Sequence, residues 1–482
     1  MYLKQLAQAA EQYCIDLIGD CDIRSLSQDS RQKTDLGLFF CISGTHFDAH
    51  AFAPQAISNG AVALVVRHLL PDLAVPQLVV TDDRAAMALI AAEFYGNPAQ
   101  KLRMIGITGT KGKTTTSYLV KSILDYAGIP NGLIGTTGNK IGSQWMRSNL
   151  TTPDPIELHD TLRQMVDAGV EAVCMEVSAH ALAMRRLDGI TYEAACFTNF
   201  SQDHLDYFET MDKYFDTKKG YFTSGAVKNA AFNVDDDKTE DIVRSLAIPF
   251  STYGISANAD IFARDIEISE NGVDFVLSLW NEQRFPVHMK MMGMFNVYNA
   301  LAATALALIM GVEPRAVCAG LEQITSVPGR AEVLDTHTPY KVVLDYSHSP
   351  AAMENILETV RGFVRNRIIL VFGCGGDRDH GKRSLMGEAA GRGSDYTIIT
   401  SDNPRTENPL NILLDIEKGI KRTRGVYELI ENRRVAINKA LTMAQEGDVV
   451  ILAGKGDETY QDINGVKKPF DEKQIVKELL SR

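Results

Sequence analysis

One stretch of the chain constrains its fold more than any other. Arg103–Thr108 reads as a short β-strand, Gly109-Thr110-Lys111-Gly112-Lys113-Thr114-Thr115 as a glycine-rich turn, and Thr114 to Ala127 as a helix. A strand that turns directly into a helix points to a parallel α/β sheet, because the helix carries the chain back to the start of the next parallel strand. The turn also predicts chemistry. Its glycines let backbone N–H groups wrap phosphate oxygens, and the helix N-terminus adds a partial positive charge. In that geometry Lys113 reaches the β- and γ-phosphates of a nucleoside triphosphate, and the Thr114 hydroxyl ligates Mg²⁺. Position 107, five before Gly112, is Ile rather than Gly. The strict GxxxxGK[ST] spacing therefore fails, and a variant phosphate loop is expected.

The alternation of β-rich runs with helical patterns continues along the chain, whose 482 residues suggest about three domains. The first block, 1–100, has strand-like segments at Gly37–Ile42, Ala61–Arg67 and Gln77–Thr81, then a helix at Arg84–Tyr95 stopped by Gly96-Asn97-Pro98. The second, 101–329, adds strands at Ala172–Val177, Ala194–Phe200 and Ala230–Val234. Its pattern then changes to period two around Asn271-Gly272, which predicts an antiparallel appendage before a buried helix at Asn296–Met310. The third, 330–482, has strands at Lys341–Asp345, Arg367–Phe372, Tyr396–Thr400 and Val449–Ala453.

Charge and cysteine usage narrow the class. With 49 basic and 61 acidic residues the net charge is −12, which argues against nucleic acid or anionic membrane as a partner. Seven cysteines stand singly with no CxxC pair, which fits neither a disulfide framework nor a zinc site and agrees with a reducing cytoplasm. Met1 to Gln12 has no apolar core, so no secretion signal is expected. The longest apolar stretch, around Ala300 to Met310, is far short of the ~20 residues a membrane span needs, so no stable membrane insertion is expected.

The string Thr108–Thr115 resembles the nucleotide loop of the Mur ligase family, the ATP-dependent amide-bond formers of peptidoglycan assembly. Further stretches agree in order: Glu176–Ala181, Asn199–Asp206, Gly293–Asn299, Pro328–Arg330, Asp345–His348, Gly373–Asp379, Asp402–Arg405 and Gly454–Glu458. The last four are similar to the members that add the third peptide residue. The resemblance implies a three-domain α/β architecture with a central P-loop ATPase-like parallel sheet and a Rossmann-like C-terminal domain. It also implies ATP and Mg²⁺, a monomer, and an acyl-phosphate intermediate formed on UDP-MurNAc-L-Ala-D-Glu. Blocks 1–100, 101–329 and 330–482 then become UDP-substrate, ATP and amino-acid domains.

Residue roles follow from the same resemblance. Glu176 and His204 join Thr114 as Mg²⁺ ligands, and Lys218, chosen over Lys219 by register after Asp203-His204, is the carbamylated lysine whose carboxylate-like end bridges or orients Mg²⁺. Without the resemblance, Glu176 reads as an exposed strand-end carboxylate, His204 as a loop histidine and Lys218 as a solvated helix lysine. Asn296 and Asn299, three apart on one helix face, contact adenine, although Asn296 also reads as an N-cap. Arg330 reaches the phosphates and Asp345 the ribose, completing the ATP site when the domains close. Ser30 contacts the uridine nucleotide, and Thr151, Thr152, Ser178 and Arg186 hold the muramoyl peptide. Met184 stands where the family often has Gln.

The added amino acid is read from Asp402-Asn403-Pro404-Arg405. Arg405 and Arg378 can each grip a carboxylate bidentately, and Glu458, beyond Gly454, offers a charge for an ammonium. An amino acid with a second amino–carboxylate centre engages all three, which describes meso-diaminopimelate; members that add it carry this Asn-Pro-Arg loop. L-Lysine leaves Arg405 unpaired, at about 2–5 kcal/mol if the group is buried. Asp457, where the family usually has His, and Ala351, where Asp is common, are further departures. A lysine-adding ligase, a folylpolyglutamate synthetase and a nucleotide-binding scaffold without turnover share the ATP loop. A dehydrogenase reading of Gly373–Arg378 fails, because the dinucleotide fingerprint needs Gly where Arg378 stands.

Overall fold

The computed structural model describes residues 1–44, 48–146, 148, 150–256 and 258–481. Three large sheets and a two-stranded ribbon, Tyr460–Ile463 with Val466–Pro469, organise the described residues. The first has five strands in the order Cys14–Ile18, Gln77–Val80, Ala61–Val66, Gly37–Phe40 and Ser25–Ser27. The first pair is antiparallel and the rest are parallel. Helices Leu3–Ala9 and Asp83–Phe94 cover one face and bury Leu3, Leu6, Met87 and Ile90 against Leu38 and Phe40.

The second sheet has eleven strands with Arg103–Thr108 in its interior, parallel to Ala172–Glu176 on one side and Ala194–Phe197 on the other. Both neighbours are wholly buried runs, as a sheet covered on two faces requires. Helices Lys113–Tyr126 and Met294–Ile309 pack one face, and Pro155–Asp167 and Met211–Thr223 the other. Asn271-Gly272 does turn a hairpin, between Ile261–Ser269 and Gly272–Leu279, with Arg284–Met289 added outside. These strands continue the central sheet rather than hanging from it as an appendage, because Ile261 and Phe262 pair with Tyr253 and Gly254. A second hairpin, Gly138–Ile141 with Gln144–Met146, extends the opposite edge.

The third sheet runs Glu332–Leu334, Lys341–Asp345, Val449–Ala453, Ile368–Phe372, Tyr396–Ile399 and Tyr427–Leu429, parallel except for its first pair. Among the described residues no helix is long and apolar enough to cross a membrane. Parallel strands of an open sheet present ligand sites beyond their C-terminal ends. Thr108, Glu176, Asp345 and Ala453 all stand at such ends.

The sheets are joined by polar side chains. Arg185 donates to Asp82 (2.7 Å) and to the Tyr13 hydroxyl (2.6 Å), and Gln28 to Asp154 (3.0 Å), which fastens the first unit to the second. At the other end Arg378 lies 3.7 Å from Asp206, and Lys341 lies 3.6 Å from Glu270.

His159, on Pro155–Asp167, is 1% exposed, and neither ring nitrogen has a partner among the described residues. Burial pushes its pKa down to about 4. The unfolded chain, with an ordinary His near 6.5, binds more protons between those values, so stability falls as pH drops through that window. The expected loss is about 3 kcal/mol when complete. His159→Leu should flatten the dependence of the urea midpoint on pH between 7 and 4.

Candidate active site

The phosphate loop is shaped by contacts that exclude larger residues. Gly112, the N-cap of Lys113–Tyr126, has φ +86°, and a Cβ there would stand 2.4 Å from Asn299 Oδ1. A Cβ on Gly109 would meet the Thr198 hydroxyl. The Thr110 N–H donates to Asn199 O (2.8 Å), its hydroxyl accepts from the Ser201 N–H (3.0 Å), and the Lys111 N–H donates to Asn199 Oδ1 (2.9 Å). The loop is thus held by the segment that carries Asp203 and His204. Thr114 and Thr115 are each 5% exposed.

Lys113 folds over its own loop, donating to Gly109 O (2.9 Å) and Thr110 O (3.0 Å). Burial lowers its pKa to about 8, against the pull of Glu176. Lys218 Nζ donates to the same Gly109 oxygen (2.9 Å) and lies 4.9 Å from the Tyr214 ring centre. It is 1% exposed, so the solvated reading fails; burial, reinforced by Lys113, holds its pKa well below the ordinary lysine value. Lys219 is less buried.

Glu176 is 1% exposed, which removes the reading as a surface carboxylate. It accepts from the Thr114 hydroxyl (3.0 Å), the Thr136 N–H (2.9 Å) and the Thr136 hydroxyl (3.1 Å). Thr136 lies outside the motifs; its signal is Gly135, whose Cβ would strike Glu176 Oε1 at 2.3 Å. One hydroxyl beside one carboxylate fits Mg²⁺, which takes one or two protein groups plus phosphate oxygens and water. Among the described residues no cluster of three His, Cys, Asp or Glu forms a protein-only cage. His204, in the left-handed region at φ +55°, packs edge-on to His180. Burial lowers its pKa to about 4, against the pull of Asp203. Among the described residues it makes no bond to Glu176 or Thr114.

Asp203 was given no role by the motifs. Lys111 Nζ donates to it (3.1 Å), and His348 Nε2 of the third unit stands 4.0 Å away. Burial alone would raise the Asp203 pKa, but the nearby cations, Lys111 foremost, hold it well below the usual range.

Helix Met294–Ile309 takes Gly293 as its N-cap, so Asn296 is not the cap. Asn299 Nδ2 donates to Asn296 Oδ1 (3.0 Å), and Asn296 Nδ2 donates to Met292 O (2.8 Å). Arg330 already reaches across the domain junction: its Nη2 donates to the Thr114 hydroxyl (3.3 Å) and its guanidinium covers Tyr346 at 4.3 Å. Its Nε is buried without a partner among the described residues. Asp345 accepts from the Ala331 N–H and the Ser347 N–H, both at 2.8 Å, so its carboxylate fixes the entry of the third unit against the end of its Lys341–Asp345 strand.

The residues expected to hold the muramoyl peptide form one cluster. Thr152, fully buried, donates to Glu176 O (2.8 Å) and lies 3.0 Å from the Ser178 hydroxyl, while Thr151 and Thr136 share a hydroxyl bond (3.1 Å). Arg186 donates to Thr152 O (2.9 Å), pairs with Asp154 (2.8 Å) and lies 3.4 Å from Met184 Sδ. Ser30 belongs to the first sheet's unit, donating to Gln55 (2.8 Å).

In the third unit Asn403 Nδ2 donates to Glu458 Oε2 (2.8 Å), binding the Asp402–Arg405 loop to the Gly454–Glu458 loop. Gly454 has φ +108°, and a Cβ on it would meet Asp402 Oδ2 at 2.6 Å. Pro404 is buried. Arg405, at φ +50°, donates through Nη1 to Gly376 O (2.5 Å). Arg378 is half-exposed.

Comparison with known proteins agrees with this architecture. Residues 107–307 match the Mur ligase middle domain, and residues 329–456 the Mur ligase glutamate ligase domain. A curated UDP-N-acetylmuramoyl-L-alanyl-D-glutamate–2,6-diaminopimelate ligase of Geobacillus thermodenitrificans is 43% identical over 99% of both chains. The ligase of the same name from Caldanaerobacter subterraneus is 44% identical over 95% of both. A solved structure of such a ligase is 33% identical, covers 95% of both chains and superposes with a TM-score of 0.68. MurF from Acinetobacter baumannii shares the fold (TM-score 0.69, 20% identity, 99% and 98% covered). The chain belongs to the Mur ligase family, whose members are ATP-dependent, ADP-forming ligases.

Proposed function

We propose that the chain is the ligase that adds meso-diaminopimelate to UDP-MurNAc-L-Ala-D-Glu in peptidoglycan assembly, acting as a cytoplasmic monomer. The observation that carries this reading is the Asn403–Glu458 bond, which sets the Arg405 loop and a carboxylate on one floor. The curated diaminopimelate ligases that match nearly the whole chain support it.

In the reaction, an oxygen of the D-Glu carboxylate attacks the γ-phosphorus of ATP, and ADP leaves. The diaminopimelate amine then attacks the acyl carbon, loses a proton, and phosphate departs as the amide forms. The protein's part is positioning and charge neutralisation. Lys113 moves from its loop carbonyls to the β- and γ-phosphates, and Arg330, whose Nε has no partner among the described residues, meets the transferring group. Asn296 and Asn299 flank the adenine, and Asp345 the ribose. Thr114, Glu176, His204 and a carbamylated Lys218 would hold Mg²⁺, which when bound would supply charge neutralisation on the phosphates. Residues 1–100, with Ser30, take the uridine nucleotide. Residues 101–329 take ATP and, through Thr151, Thr152, Ser178 and Arg186, the muramoyl peptide. Residues 330–482, with Arg378, Asp402, Asn403, Pro404, Arg405, Gly454 and Glu458, take the amino acid.

Phosphate release is the test. It should require ATP, Mg²⁺, the UDP-linked dipeptide and diaminopimelate together; nucleotide binding without release would instead make the chain a scaffold.

A further inference from the structure

Lys455 lies between two residues given roles, yet the motif assigns it none. Its side chain is wholly buried (0% exposed), against the Asp402–Arg405 loop. Its Nζ donates to Glu458 Oε2 (3.0 Å) and to Asn403 Oδ1 (3.2 Å). Behind this pair stands a second buried one. Arg433 Nε donates to Glu472 Oε1 (2.7 Å), and Arg433 Nη1 lies 4.0 Å from Asp402 Oδ2. Beneath the two loops the floor therefore holds three cations, Lys455, Arg433 and Arg405, against three carboxylates, Asp402, Glu458 and Glu472, while half-exposed Arg378 faces a carboxylate of its own, Asp206, at 3.7 Å. The set is neutral.

We infer that Lys455 sets the charge the amino-acid site accepts, admitting a ligand end in which ammonium and carboxylate occur together and disfavouring a lone ammonium. The inference rests on the proposed function of this floor. Lys455 and Asn403 both occupy Glu458 Oε2, which leaves Oε1 for a ligand ammonium, while Arg405 is available to a ligand carboxylate. A zwitterionic end brings its own compensation into a neutral floor. A lone ammonium brings an uncompensated charge to a partly desolvated site, which is unfavourable. Lys455 is thus the repulsive element in the selection, a part that attraction to the right ligand alone does not supply. Remove its charge and the floor becomes net negative, the complement of a lone ammonium.

Lys455→Met tests this without orphaning a buried acceptor. Asn403 Oδ1 keeps the Asp462 N–H (3.0 Å), and Glu458 Oε2 keeps Asn403 Nδ2 (2.8 Å). Lys455→Gln, which retains a donor but no charge, is the companion variant. The readout is kcat/KM for meso-diaminopimelate divided by kcat/KM for L-lysine, with KM for ATP as control. In both variants the ratio should fall by at least ~10-fold, with KM for ATP within about twofold of wild type. A merely structural lysine would depress both amino acids alike. A selective wild type whose ratio survives in both variants overturns this inference alone; a wild type indifferent to the two amino acids overturns the proposed function and the inference with it.

Discussion

Lys218→Met is expected to give a more stable protein that has lost at least ~100-fold of its turnover. The two halves of that result come from one geometry. Lys218 is buried, its bonds go to uncharged oxygens of Gly109 and Thr108, and Lys113 shares the Gly109 carbonyl with it. A cation in that position is desolvated and repelled by its neighbour, so the amine is favoured uncharged. Methionine fills the same space without either penalty, and Gly109 O keeps its bond from Lys113. Thermal unfolding in CO₂-free buffer should therefore move upward. An uncharged amine is also the form that adds CO₂: nitrogen bonds to carbon, a proton leaves, and a carbamate results. In the methionine variant that chemistry is lost. A structural lysine would behave the other way, losing stability while keeping its rate.

The second large effect is expected at Arg405. Its backbone is held at φ +50° between the Asp462 carbonyl and the Asn464 N–H, and Nη1 is anchored on Gly376 O. The guanidinium is thereby oriented before any ligand arrives, which is where bidentate recognition gains most. Arg405→Met should lower kcat/KM for meso-diaminopimelate by about 100- to 1,000-fold, as expected for truncating one partner of a hydrogen-bonded charge pair. KM for ATP should stay within about twofold, because the change touches amino-acid binding and not the phosphate loop. Arg405→Lys should recover only part of the loss, since an ammonium cannot present two parallel N–H bonds.

Much of this molecule is legible in its sequence where local rules and tertiary demands agree. Arg103–Thr108 and Lys341–Asp345 form strands with the bounds their patterns predict, and Asn271-Gly272 turns the hairpin it announces. Asn131–Gly135 is a strand that no pattern announces, since two of its five residues are glycines, which strands disfavour; it forms because it pairs with Ala172–Met175. Cys14–Ile18, mostly exposed on a sheet edge, lacks the buried alternation that marks a strand. In the site, the glycines and the residues within quoted motifs could be placed, but burial could not. Lys218 and Lys455 look like solvated lysines in a string of letters; only packing makes one the partner of Gly109 and the other the partner of Glu458. Arg433 and Glu472 are 39 residues apart and meet beneath the Asp402 loop, and no spacing rule anticipates such a pair. Asp203 was visible as a letter beside His204; its bridge from Lys111 toward His348 belongs to the domain junction.

Selection of an amino acid with two charged centres is what the proposed function requires of this floor. It is tested most directly by supplying UDP-MurNAc-L-Ala-D-Glu, ATP and Mg²⁺ with either meso-diaminopimelate or L-lysine, and measuring phosphate release together with the mass of the product. The structure predicts stoichiometric phosphate and a diaminopimelate-extended product, with L-lysine turned over at least ~100-fold less efficiently. Equal or better turnover with L-lysine would contradict it.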